Sequence, residues 1–176
     1  MSESTKRHKA QAPKKLNFGI FICSSSRYQL LKKGKLVEDV SGDLIEARLK
    51  DAGHTVLFRK IISDDKAMIQ EEVKRVLDSA DLDAVIFCGG TGVAPSDVTI
   101  ETVSPFLEKT LLGFGEIFRR LSYEQVGSAA VLSRAIAGVA KGKVLFCIPG
   151  SPDAVRISIE RLILPEAPHI VRHARE

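Results

Sequence analysis

A short, wholly apolar run, Ala84-Val85-Ile86-Phe87, feeds a turn with glycine at three of four positions, Gly89, Gly90 and Gly92, and a helical pattern follows. An apolar run without polar alternation suits a strand covered on both faces of a sheet. Glycine lets the backbone take positive φ and lets a ligand approach the main chain closely. Successive N–H groups in such a turn form a concave anion site, as does the start of the helix behind it. Asp97 stands five residues beyond Gly92. A carboxylate there would repel a bare phosphate unless a cation lay between them. The turn therefore reads as a phosphate-binding loop with a metal-capable carboxylate beside it. A plain strand-to-helix turn, with Asp97 stabilising the helix dipole, accounts for the same residues.

The rest of the chain repeats this alternation. Asn17 to Cys23 is a nearly continuous apolar run, and Thr55-Val56-Leu57-Phe58, running on toward Ile61 and Ile62, is another. Ser24 to Val40 reads as a polar loop carrying Lys32, Lys33 and Lys35, longer than most connections. Ser41 then looks like a helix N-cap with Asp43 in the first turn and Gly53 at the far end. After Ser63-Asp64-Asp65, another cap-like start, Ile69, Val73, Val76, Leu77 and Ala80 recur at helical spacing. Up to Phe87 the order is β-α-β-α-β, the pattern of a parallel sheet wrapped by helices. Beyond Thr99 a helical stretch is reset by Pro105. A second helix is expected near Gly115, with Glu116 in its first turn. Ser133 to Gly142 is a stretch of small residues. Lys143 to Ile148 is a strong strand, and Ser151 and Pro152 open a last helix that Pro165 ends.

Composition narrows the class. At 176 residues, 44% hydrophobic and 27% charged, the chain suits one globular domain. That domain is placed over 16–165, behind a disordered basic tail over 1–15 and before a C-terminal extension over 166–176. No apolar run approaches the ~20 residues of a membrane helix. The first residues have no apolar core of a secretory signal, so a cytoplasmic protein is expected. The net charge of +4 is modest, and the absence of Trp with only two Tyr argues against a nucleic-acid stacking surface. Cys23, Cys88 and Cys147 lack metal spacing and read as small buried hydrophobes in a reducing compartment. His54, His169 and His173 are assigned no ligand role.

Ligands of open α/β sheets sit beyond the carboxyl ends of the strands. Asp64, the stretch Gly89 to Asp97, and Gly150 with Ser151 would share that rim. Two aspartates beside a glycine-rich anion loop make a magnesium–phosphate site.

Five ordered segments carry a resemblance. They are Gly89-Gly90-Thr91-Gly92 with Asp97 and Thr99; Gly113-Phe114-Gly115-Glu116; Leu121-Ser122; Ser133-Arg134-Ala135-Ile136-Ala137-Gly138; and Pro149-Gly150-Ser151-Pro152. Together, from about Phe18 to Leu164, they resemble the MoaB/MogA family of molybdenum-cofactor biosynthesis proteins, relatives of the G domain of gephyrin. The form of Gly113 to Ser122 resembles the MoaB branch. The resemblance implies a three-layer α/β/α sandwich with a mostly parallel sheet. It also implies Mg²⁺-dependent transfer of AMP from ATP to the terminal phosphate of molybdopterin, with release of pyrophosphate. Asp64 and Asp97 become the catalytic, metal-holding carboxylates. Gly89, Gly90, Thr91, Gly92, Glu116, Ser133, Arg134, Pro149, Gly150 and Ser151 become the substrate- and nucleotide-binding set. Some bacterial MoaB proteins lack an acidic residue at the position of Asp64 and are inert; this chain keeps it. Further implied partners are other copies of the chain, as a trimer or hexamer, and the protein that next inserts molybdenum. The alternatives are a non-catalytic molybdopterin- or nucleotide-binding protein of the same fold, and a generic flavodoxin-like nucleotide binder.

Overall fold

The computed structural model describes residues 12–176. Most of the tail expected over 1–15 lies outside the described residues. Six strands form one sheet: β1 (Asn17–Cys23), β2 (Thr55–Ile62), β3 (Ala84–Cys88), β4 (Lys109–Thr110), β5 (Ile136–Ala140) and β6 (Lys143–Ile148). Their order is β2-β1-β3-β6-β5-β4. The first four in that order are mutually parallel, whereas β5 and β4 run antiparallel at the far edge. The central strands β3 and β6 are buried at every position; their sequences are apolar apart from Lys143 at the start of β6.

Side-chain alternation divides the core into two layers. Phe18, Ile20 and Ile22 of β1 point to one face, with Ile86 and Phe146. There they meet Ile45 and Leu49 of α2 (Val40–Asp51), Phe114 and Phe118 of α5 (Leu112–Val126), and the C-terminal helical segments. Phe21, Val85, Phe87 and Leu145 point the other way, onto Ile69, Val73, Val76 and Leu77 of α3 (Lys66–Asp78) and Val103 of α4 (Thr99–Val103). The result is the expected α/β/α sandwich. Among the described residues, no helix is long and apolar enough to cross a membrane.

Several local expectations change. Ser24 to Val40 is not all loop: α1 (Ser25–Lys32) forms there, with Ser24 as its N-cap. Helix α2 starts at Val40 because Asp39, not Ser41, caps it; the Gly42 N–H donates to Asp39 Oδ1 at 3.0 Å. Helix α5 starts at Leu112, three residues before Gly115, so no acidic residue lies in its first turn and Glu116 is one turn in. The small-residue stretch contains β5. Its Gly138 faces β4 so closely that a Cβ would lie 2.7 Å from the Lys109 carbonyl oxygen.

The largest correction concerns Pro165. Helix α6 (Pro152–Arg156) passes into a π-helical stretch, Ile157–Ile163, and then into α7 (Leu164–Ala174). The change of register makes Leu164 a fresh helix start, and Pro165 falls in the first turn, where no N–H is needed. Residues 166–176 thus continue the fold, with Ala167 and Val171 fully buried in the same cluster as Ile163. Val171→Ala should therefore cost about 2 kcal/mol and lower Tm by roughly 4–8 °C. Thermal unfolding of the purified variant checks this; an unchanged Tm would mean that the segment is not part of the core.

Candidate functional site

The parallel strands β1, β2, β3 and β6 end side by side, and the main chain at those ends is packed more tightly than side chains permit. Gly89 has φ of +103°, and a Cβ there would lie 2.4 Å from the Cys23 carbonyl oxygen. Its N–H donates to the Ile148 carbonyl at 2.9 Å, tying the end of β3 to that of β6. A Cβ on Gly150 would lie 3.3 Å from the Gly89 Cα. Gly90 has φ of +61°, and a Cβ there would lie 2.5 Å from Thr99 Oγ1 and 2.7 Å from Asp64 Oδ1. The Thr99 N–H donates to the Gly90 carbonyl at 2.9 Å, fixing the turn to the start of α4. The floor is thus mostly backbone, which leaves N–H groups as the chemistry on offer.

Above it lies a cleft of about 320 Å³. It is lined by Gly89, Gly90, Thr91, Gly92, Asp97, Ser133, Arg134, Pro149, Gly150 and Ser151, with Leu132 and Ala154 completing the wall. All of the expected substrate- and nucleotide-binding residues except Glu116 are therefore together. Glu116 is exposed on α5 and does not line the cleft. Ser151 holds the N-cap position of α6 without a side-chain capping bond. Arg134 is ion-paired to Glu101 of α4. Burial opposes ionisation of Glu101, but the hydrogen bond and charge of Arg134 prevail and hold that carboxyl below its usual range.

The two aspartates approach the glycine loop differently. Asp97 folds under it: its Oδ2 would lie 2.6 Å from a Cβ on Gly92 and accepts the Ala94 N–H at 2.9 Å. Asp64 accepts the Ser25 N–H on Oδ2 at 2.8 Å, while its own N–H donates to Ser25 Oγ at 2.9 Å. Asp64 Oδ1 is buried and makes no hydrogen bond. An unsatisfied buried carboxylate oxygen costs on the order of 1–3 kcal/mol. A cation at that point would satisfy it. Among the described residues no three His, Cys, Asp or Glu side chains form a ready-made metal shell. Magnesium does not require one, since it keeps several waters and takes one or two carboxylates together with substrate phosphates. The donor set, hard oxygens beside a phosphate loop, fits that ion.

Burial pushes the Cys23 thiol up to about 12, the nearby Thr99 hydroxyl offsetting this in part; burial likewise raises Cys88 and Cys147. All three are free and buried, as packing residues should be. His54 accepts the Leu16 N–H on Nδ1 at 3.2 Å, and burial lowers its pKa, so it is a neutral structural group. Ser25 and Ser41 were not foreseen as supports of the site. Ser41 Oγ donates to the Gly150 carbonyl at 2.8 Å. The signal for Ser25 was present in the Ser24-Ser25-Ser26 run directly after the first strand.

Comparison with known proteins bears on this geometry. Residues 19–169 match the family described as "Probable molybdopterin binding domain". Molybdenum cofactor biosynthesis protein B of Bacillus anthracis is 46% identical over 168 residues, 95% of each chain. The chain belongs to the MoaB family of molybdenum cofactor biosynthesis proteins. A Methanocaldococcus jannaschii relative, named "Probable molybdopterin adenylyltransferase", is 43% identical over 93% of this chain and 96% of its own. Among solved structures, the MoaB-family tungsten cofactor synthesizing protein of Pyrococcus furiosus superposes with a TM-score of 0.82 at 39% identity, covering 94% of this chain and all of that one.

In this MoaB-family chain the floor of the cleft tolerates no side chain. Gly89→Ala meets backbone that cannot swing aside and holds φ in a region L-residues avoid, so it should destabilise the protein by about 2–4 kcal/mol. Urea unfolding checks this; a loss under about 0.5 kcal/mol would show that the β1–β3 contact can relax.

Proposed function

We propose that this chain is a molybdopterin adenylyltransferase. A terminal phosphate oxygen of molybdopterin attacks the α-phosphorus of ATP. A new P–O bond forms, the bond from that phosphorus to the bridging oxygen of the β-phosphate breaks, and pyrophosphate leaves with the electron pair. In such transfers the protein chiefly positions the reactants and neutralises charge. Backbone N–H groups of Gly90 to Gly92 and the N-terminus of α6 at Gly150 and Ser151 hold phosphate oxygens. Ser133 and Arg134, on the opposite wall, meet the pterin or its phosphate. Mg²⁺, when bound, neutralises charge developing on the phosphates. Asp64 and Asp97 are the carboxylates that hold it.

The observation carrying this reading is the buried, unbonded Oδ1 of Asp64 beneath Gly90. A cation bound there would remove that cost, as a metal-dependent transferase requires. The name of the Methanocaldococcus jannaschii relative supports the same activity. A non-catalytic binding role draws its support from Asp97, which is engaged with its own loop through the Ala94 N–H. The test is incubation with molybdopterin, α-labelled ATP and Mg²⁺. Asp64→Asn and Asp97→Asn should each lower AMP transfer by ~10² or more with the fold intact by circular dichroism, as expected when a main charge-stabilising group is removed. Transfer at the parent rate by the Asp64 variant would leave the binding role standing.

The proposal includes a cytoplasmic homo-oligomer, trimer or hexamer, that passes its product to the molybdenum-insertion protein. Phe114 and Phe118 of α5 serve the chain's own core, so they supply no surplus apolar face. The exposed apolar groups of α5 are Leu112, Ile117, Tyr123 and Val126, and Val131 and Leu132 follow in the 3-10 turn; Val131 is 81% exposed. Exposed apolar groups gathered on one helix and the turn after it support an interface between copies. Light scattering at micromolar concentration should give a trimer or hexamer, and Val131→Asp should dissociate it. A monomeric parent would remove this part of the proposal.

A further inference from the structure

Thr99 has so far served only through its main chain, whose N–H ties α4 to the Gly90 carbonyl. Its side chain is fully buried, yet Thr99 Oγ1 makes no hydrogen bond of ordinary length and angle. Helical threonines and serines commonly donate to a carbonyl one turn back. The next two hydroxyls do so: Thr102 Oγ1 donates to the Val98 carbonyl at 2.6 Å, and Ser104 Oγ to the Ile100 carbonyl at 2.7 Å. Helix α4 begins at Thr99, so the helix itself offers that residue no such carbonyl.

The hydroxyl approaches the same spot as Asp64 Oδ1. A Cβ on Gly90 would lie 2.5 Å from Thr99 Oγ1 and 2.7 Å from Asp64 Oδ1, so two oxygens from different elements flank one point. Among the described residues, four buried side-chain oxygens lack a hydrogen bond, and these are two of them. The other two belong to Asp39 and Glu72, whose carboxylates are paired with Arg59, and with Lys60 and Arg75. Only beside Gly90, then, do two such oxygens meet without a charged partner in reach. The Cys23 thiol neighbours the hydroxyl, which partly offsets the rise that burial causes in the thiol's pKa. Sulfur is a weak acceptor, so that contact engages the hydroxyl hydrogen and leaves the oxygen lone pairs unanswered.

We propose that Thr99 is a positioning residue for the divalent cation: its hydroxyl oxygen accepts from a water that the ion carries, and so sets the place of the ion at Asp64 Oδ1. This rests on the cation reading of Asp64 given above and adds a second oxygen to it. Magnesium keeps several waters, and both magnesium and manganese prefer oxygen ligands, so a carboxylate and a hydroxyl side by side suit either ion. The segment that supplies Asp97 to the rim also supplies this hydroxyl, two residues on.

The test uses the full-length chain and Mn²⁺ alone, with the free ion followed by electron paramagnetic resonance, so no turnover is needed. The parent and Thr99→Ser, which keeps the hydroxyl, should bind the ion with similar affinity. Asp64→Asn should weaken binding. Thr99→Val, which puts a methyl in place of the hydroxyl, should weaken it by about 10- to 100-fold, as loss of a group behind the ion's own ligands does. Thr99→Val should nevertheless melt at the parent temperature or above, because a buried hydroxyl without a hydrogen bond gives up nothing when an apolar group of the same shape replaces it. A purely structural hydroxyl gives the reverse, a lower Tm with unchanged affinity. Loss of the ion in Asp64→Asn but not in Thr99→Val would overturn the role of Thr99 alone. Retention of the ion in Asp64→Asn, or no parent binding tighter than about 1 mM, would remove the cation from Asp64 and with it any use for Thr99. A Thr99→Val chain that melts lower, or does not fold, would also overturn this role, since the hydroxyl would then be bonded within the protein.

Discussion

The close approach of three strand ends is the constraint on which the site depends. Gly89 sits between the Cys23 carbonyl and Gly150, and only the lack of a Cβ at both glycines lets β1, β3 and β6 finish at one level. The Gly89 N–H spends itself on the Ile148 carbonyl, so that bond belongs to the sheet and not to a ligand. The N–H groups that follow, from Gly90 onward, are carried by a turn whose position the sheet has already fixed. A turn fixed this way would need no lysine at its base to hold a phosphate. Its rigidity comes from the core beneath, where Phe87 stacks on Phe21 with ring centroids 5.0 Å apart.

Much of this was legible in the sequence because buried parallel strands write themselves as unbroken apolar runs. β1, β2, β3 and β6 were read within a residue or two, and the rule that ligands lie at strand carboxyl ends then gathered the glycine loop and Gly150 on one rim. β5 was hidden because an edge-side strand of small residues, Ile136 to Ala140, carries little hydrophobic signal, and its Gly138 reads as a turn when it marks a close backbone approach. Helix α1 was hidden because none of its residues is buried, so it has no apolar stripe to betray it. The start of α5 is hard to read because Leu111 has no capping side chain and the run Leu111 to Gly113 carries no entry signal.

The histidine pair shows how one local rule governs what else can be seen. A spacing of four residues means a shared face only on a helix. With Pro165 taken as a helix end, His169 and His173 had no such meaning. The π-helical stretch before Leu164 resets the hydrogen-bond register, Pro165 becomes a first-turn residue, and the spacing turns into a contact of 3.0 Å between nitrogens. A helix that tolerates proline at its start thus carries both a buried face, through Ala167 and Val171, and an outer face on which His169 meets His173.

The two oxygens of Asp64 divide between structure and chemistry, and α1 is what divides them. Ser25 is the first residue of that helix, and its N–H, one of the unsatisfied donors of the helix start, goes to Asp64 Oδ2. Reciprocally, Ser25 Oγ takes the Asp64 N–H, so the end of β2 and the start of α1 hold each other at two points. With Oδ2 occupied, the side chain has no freedom to turn, and Oδ1 is held under Gly90 whether or not anything binds it. Had Ser24 to Val40 been only a loop, the Ser25 contacts that aim Asp64 at the glycine turn would have no fixed base. The unexpected helix is thus what turns a rim aspartate into a fixed carboxylate with one oxygen left without a hydrogen bond.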